Sequence, residues 1–186
     1  MWSSEVTNMI ITGIWETLYM TLVSTLVGYV IGLPMGIILT VSDKDGIKPN
    51  AVLYKILDVI ANIVRSVPFI ILLVLLIPFT RLVVGKSYGS TATIVPLVIA
   101  AAPYIARMVE SSLKEVDAGV IEAARSMGAS NFTIITKVML VEARTSLLVG
   151  ATITLGTILG YSAMSGAVGG LSLIHISEPT RPLYIS

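Results

Sequence analysis

The stretch Ile10–Val41, "IITGIWETLYMTLVSTLVGYVIGLPMGIILTV", runs with Glu16 as its single charge. A bilayer hydrocarbon core about 30 Å thick takes about 20 apolar residues as a helix, whose backbone groups satisfy one another without water. This stretch is long enough to cross with tilt. A cleaved leader needs a basic start and a short apolar core. Here no Lys or Arg precedes Trp15 and the run is too long, so the segment reads as a retained helix. Trp15 and Tyr19 near its start suit the headgroup belt.

The rest of the chain has the same character. Of 186 residues 55% are hydrophobic and 12% charged, against about 25% charged in soluble domains. The mean hydropathy is +0.91, which excludes a disordered chain, since disorder needs low hydrophobicity and high net charge. Twelve Lys and Arg against eleven Asp and Glu leave a net charge of +1, so no basic excess points to a nucleic-acid partner. The absence of cysteine removes disulfides, thiolate metal ligands and thiol catalysis together. The lone histidine, His175, lies in the tail discussed below.

Three further spans follow. The second, about 59–80, is centred on "FIILLVLLIPF" (Phe69–Phe79), with Pro68 and Pro78 expected to bend or break it. The third, about 91–115, begins "TATIVPLVIAAAPYIA" and carries Pro96 and Pro103. The fourth, about 146–169, is "SLLVGATITLGTILGYSAMSGAVGG", rich in Gly, Ala, Ser and Thr. The fold class is an all-α integral membrane protein, a polytopic helical bundle. Basic residues set its orientation. Lys44, Lys48, Lys55, Arg65, Arg107, Lys114, Arg125, Lys137 and Arg144 fall on one side, against Arg81, Lys86 and Arg181 on the other. The nine-residue side is expected in the cytoplasm and the N-terminus outside.

The interval between spans three and four, about 117–140, reads as helix, turn, helix. Val120, Ile121, Ala124 and Met127 recur at helical spacing as one apolar face, with Glu122 and Arg125 on another. Gly128 stands where a C′ residue belongs, Ser130 or Asn131 can cap the next helix, and Ile134, Ile135, Val138 and Met139 form its apolar set. Pattern alone leaves two readings open, a solvated surface linker or a cytoplasmic hairpin with a partner. Glu110, Glu115 and Asp117, beside Arg107 and Lys114, are expected to form solvated ion pairs, and no catalytic dyad or metal site is evident. "GKS" at Gly85–Ser87 lacks the glycine a phosphate loop needs five positions earlier, where Thr80 stands.

Two small-residue ladders, Gly28, Gly32, Gly36 and Gly156, Gly160, point to close helix packing or to a place in a translocation path. In span four Thr152, Thr154, Thr157, Tyr161, Ser162 and Met164 are candidates to line a route for a zwitterionic substrate, with core packing as the alternative. Arg65 is a membrane-edge charge that can snorkel.

"EAARSMG", with Glu122, Ala123, Ala124 and Gly128, resembles the EAA signature of permease subunits of type I ABC importers. The expected proline near its end is absent: Val138, Met139, Leu140 and Val141 stand there. "RSVPFIILLVLLIPFTR", "IVPLVIAAAPYIARMVE" and "ATITLGTILGYSAMSGAVGG" are similar to permeases of methionine importers, over about residues 14–170. The resemblance implies that Glu122, Ala123, Ala124 and Gly128 build a coupling helix docking in a cleft on the ATPase. It also implies a homodimer in the bacterial inner membrane with two cytoplasmic ATPase subunits, which bind ATP and Mg, and an extracytoplasmic substrate-binding lipoprotein. No catalysis and no cofactor are expected in this chain. The alternatives are a permease for another amino acid, a phosphonate or an osmolyte, a non-transporting membrane assembly protein, or a truncated product without function. From about Leu171, "LSLIHISEPTRPLYIS" resembles a translated sequencing adapter where the family would continue to a fifth helix. Residues 171–186 are therefore read as a non-native tail, and residues 1–170 as the permease domain.

Overall fold

Two helices that meet along the glycine-lined face of the first lie at the centre of the molecule. The computed structural model describes residues 4–166, with side-chain burial from Val6 onward; the expectation for the tail from Leu171 lies outside the described residues. Helix α1 (Ser4–Ser42) runs beside α5 (Ser90–Lys114) along much of its length. The reason is steric. A Cβ built on Gly28, Gly32 or Gly36 would come within 2.9 Å, 2.7 Å and 2.6 Å of Ile105, the Ala102 carbonyl and the Ala106 carbonyl, respectively. Only hydrogen fits, so the α1 backbone presses directly on α5, the arrangement that replaces hydrophobic drive inside lipid. Gly156 and Gly160 behave differently. An added Cβ at either would meet nothing within 4 Å, because α9 (Arg144–Gly166) packs on α1 and α5 through Gly150, Thr154, Ile158 and Ser162 instead. Tight packing at Gly156 and Gly160 is therefore not found among the described residues.

The described residues are mostly helical, with no strand among them, and the fold is an all-α membrane bundle. Val6–Ser42, Ser90–Lys114 and Arg144–Gly166 are each long and apolar enough to cross a membrane. Pro96 and Pro103 lie inside α5 without ending it. The segment expected to form the second span is broken. Helix α2 (Ala51–Ser66) and α3 (Phe69–Leu75) meet at 101°. Val67 is extended, with φ −84° and ψ 124°, as the residue before a proline prefers, and Pro68 begins the new helix. A second break at Leu76 starts α4 (Ile77–Val84), with Pro78 in its first turn, where a missing N–H costs nothing.

Helix α2 is amphipathic with its polar side inward. Val52, Leu53, Ile56, Val59, Ile60 and Ile63 are exposed, while Tyr54, Asp58 and Asn62 face Arg107 and Glu110 of α5. A water-soluble protein would place these faces the other way. Membrane proteins gather polar groups against one another and leave the apolar side to an apolar surrounding.

Candidate functional site

The segment between α5 and α9 is a hairpin whose turn is fixed by its own backbone. Helix α6 (Ala118–Ser126) starts at Asp117, whose carboxylate accepts from Gly119 N–H at 2.7 Å. It ends with Gly128 at φ 79°. Gly128 N–H donates to the Arg125 carbonyl at 3.0 Å and Ala129 N–H to the Ala124 carbonyl at 3.1 Å, the paired bonds of a Schellman ending. Ser130 then caps the next helix, accepting from Thr133 N–H at 3.3 Å. That helix comprises α7 (Asn131–Thr133), a π-helical segment Ile134–Met139 and α8 (Leu140–Glu142). Such wide turns recur at functional places in helices.

One face of this hairpin is anchored and the other is free. Ala124, Ile134 and Met139 are buried in the core, with Ile121, Ile135 and Val138 packed against it. Glu122 and Ala123 are exposed. Met127 does not belong to the packed face that its spacing suggested: it is 82% exposed, and Phe132 across the turn is 75% exposed. Met127 is the cap residue, where the helix has already ended, so its side chain leaves the helical face. Two large apolar side chains thus stand out beside the turn. Sequence reasoning overlooked Phe132 and misplaced Met127, although their position flanking a glycine turn was available as a signal. Arg125 donates to the Ile47 carbonyl at 3.2 Å, tying the hairpin to the α1–α2 connection. Between them lies a cavity of about 420 Å³ bordered by Asp43, Leu113, Ile121, Glu122 and Met139.

Behind the hairpin stands a group of charges that sequence reasoning took for solvated pairs. Glu110 is instead buried, its side chain only 6% exposed. Its Oε2 accepts from Arg107 Nη1 at 2.7 Å and its Oε1 from Lys114 Nζ at 2.8 Å, with the Tyr54 hydroxyl at 3.3 Å. Arg107 also bonds Asp58 and Asn62 of α2, and Lys114 reaches Asp43, just past α1, at 2.7 Å. The Asp43 carboxyl is held below its usual range, chiefly by the hydrogen bond from Lys114. The correction has a structural cause: α2 folds its polar side over Arg107 and Glu110, shutting water away from Glu110 and leaving Arg107 partly covered. Asp117 serves as a helix cap, and Glu115 is exposed.

The span-four candidates point in several directions. Thr154 and Ser162 are buried and donate to the Gly150 and Leu159 carbonyls of their own helix at 2.8 Å and 2.7 Å. Thr152 and Thr157 likewise donate to Leu148 and Ile153, and Tyr161 stacks on Phe69 with ring centres 4.6 Å apart. Met164 is exposed. Arg65, in the last turn of α2, is exposed too. Among the described residues no cluster of three His, Cys, Asp or Glu is placed to hold a metal ion.

Residues 32–178 match the family described as binding-protein-dependent transport system inner membrane component. The chain belongs to this family. The match extends past Gly170. A "D-methionine transport system permease protein MetI" of Escherichia coli strain K12 is 56% identical over 158 residues, covering 85% of this chain and 73% of that protein. A "Probable D-methionine transport system permease protein MetI" of Vibrio cholerae is 47% identical over 169 residues, covering 91% and 75%. Among solved structures, one of "Inward facing conformations of the MetNI methionine ABC transporter" superposes with a TM-score of 0.91 at 53% identity, covering 94% of this chain and 81% of that one. An inner-membrane component of a binding-protein-dependent transporter is a permease subunit, and the bundle around α1 and α5 is its body.

Proposed function

We propose that this chain is the permease of an ATP-driven importer of methionine, working as a homodimer with two cytoplasmic ATPases and an extracytoplasmic substrate-binding lipoprotein. The reading rests most on the hairpin: an anchored inner face, an exposed Glu122-Ala123 face and two projecting apolar side chains at a rigid turn. A rigid helix seated in a partner's cleft transmits displacement where a floppy loop cannot. Ala123 permits close approach, Met127 and Phe132 supply apolar anchors, and Glu122 adds a charged contact. An exposed charge pair contributes only about 0–1 kcal/mol, so the apolar anchors carry most of the affinity.

The substrate follows from the relatives, all named for D-methionine transport where their names are given above. The proposed cycle is alternating access: ATP bound with Mg in the partner dimer closes it, the hairpins move with it, and the spans exchange inward-open for outward-open. Thr157, Tyr161 and Met164, which are not sealed in the core, are the better candidates for the path; Thr154 and Ser162 serve packing. Gly156 and Gly160, facing open space in one copy, are available to a neighbouring helix. The test is uptake of labelled D-methionine into proteoliposomes holding the permease and its ATPase, with the binding protein supplied outside and ATP within. Accumulation that needs ATP and is competed by methionine before other amino acids or phosphonates supports the reading. Accumulation of a competitor with no methionine uptake overturns the substrate, and no ATP-dependent uptake of any of them overturns the function.

A further inference from the structure

Five charged residues from three separate elements join into one chain: Asp43 after α1, Lys114 and Glu110 and Arg107 along α5, and Asp58 on α2. Lys114 is the last residue of α5, so this end of the chain sits at the root of the hairpin. Glu110 is the only member that touches both cations, and Tyr54 of α2 covers the junction, its hydroxyl on Glu110 and its ring 5.7 Å below the Lys114 ammonium. Buried ion pairs are weak contributors to stability, since desolvation offsets attraction and apolar packing often holds as well. Their best use is to fix one geometry. Polar groups placed at membrane-embedded helices are costly and point to function.

We propose that Asp43, Lys114, Glu110, Arg107 and Asp58 form a strut that positions α2 and the end of α1 against the hairpin root, so that displacement of the hairpin reaches α2 as a rigid unit. The inference rests on reading the hairpin as the ATPase-docking element. None of the five is among the docking or path residues named above. Glu110 is a positioning residue, and its loss separates the strut into an Asp43–Lys114 half and an Arg107–Asp58 half, each still paired. A residue that merely stabilised the fold would show no such division.

The chain has no cysteine, so spin labels can be placed without removing any. Labels at Val59 on α2 and Ser126 on the hairpin, both exposed, report their separation in lipid nanodiscs. With the strut intact the distance distribution is narrow. Glu110→Gln broadens it about two-fold, and Asp43→Asn, which alters neither labelled element, broadens it as well, as coupling through a contiguous network requires. Adding Asp43→Asn to Glu110→Gln has no further effect. Glu110→Asp, which keeps the charge, gives an intermediate width and serves if Glu110→Gln does not fold. In proteoliposomes, uptake per ATP hydrolysed falls about ten-fold in Glu110→Gln, within the range that such network residues command. A narrow distribution in Glu110→Gln and Glu110→Asp, or additive broadening in the double variant, overturns the strut. Absence of ATP-driven uptake by the unaltered chain overturns the transport reading, while the distance measurement still decides the strut.

Discussion

Asp43 holds the outermost acid position of the charge chain, with a side chain 20% exposed against Lys114 at 41%. Lys114 lowers its pKa mainly through their hydrogen bond, partial burial opposes this, and Lys44 lowers it further. A carboxyl whose folded pKa is depressed stabilises the fold fully above its unfolded value, about 3.9, and loses that contribution as the pH falls through the folded value. Solvent screening at a pair this exposed limits the effect to about 0.5 kcal/mol. Asp43→Asn is therefore expected to melt slightly earlier than the parent at about pH 7, with the difference shrinking once the pH falls below about 3.9 and vanishing below the depressed folded value. Thermal unfolding in detergent across that interval checks it, and a difference that persists unchanged at the acid end would assign the loss to packing. Residue-scale features of this kind were hidden in the sequence. Arg107 and Asp58 are 49 positions apart, and no local pattern announces that a break at Val67 and Pro68 will fold them together.

At the scale of elements, legibility followed the length of the signal. Helices α1, α5 and α9 were readable because each carries an apolar run matched to a bilayer. The broken segment was readable only as prolines, since hydropathy is blind to direction and cannot report a 101° turn. The hairpin was legible in its turn: Gly128 and Ser130 stand where capping rules put them. Its polar face was legible too, with Glu122 and Arg125 set apart from the apolar positions, but the projecting apolar pair was not, because Met127 fits the helical spacing yet lies past the helix end. The turn depends on Gly128 at φ 79°, a region closed to β-branched residues. Gly128→Val is expected to cost about 1–3 kcal/mol locally. Because an added Cβ would meet no neighbour within 4 Å, the cost lies in the backbone, and the turn relieves it by unwinding, which moves Met127 and Phe132. ATP-dependent uptake should fall sharply while membrane insertion and α5–α9 packing persist. Unimpaired uptake by Gly128→Val would remove the rigid turn from the coupling mechanism.

For the whole molecule, orientation decides which end of the bundle meets ATP. The bias of nine basic residues against three leads us to propose that the α1–α2 connection and the hairpin lie on one side, with the α4–α5 connection opposite. The structure supplies an independent reason to keep the first two together: Arg125 of the hairpin bonds Ile47, and Lys114 bonds Asp43, so both segments form one polar cap at one end of α1 and α5. A cap joined by these bonds cannot be divided across a bilayer. Single cysteines at Asp45, Ser126 and Ser87, all exposed and none in the charge chain, test the arrangement with an impermeant thiol reagent. In intact cells the first two should stay unlabelled and Ser87→Cys should react, with all three reacting after lysis. Labelling of Asp45→Cys and Ser126→Cys in intact cells, with Ser87→Cys protected, would invert the molecule and place the hairpin beyond reach of a cytoplasmic ATPase. Labelling that separated Asp45→Cys from Ser126→Cys would contradict the bonded cap itself, whichever way the chain is inserted.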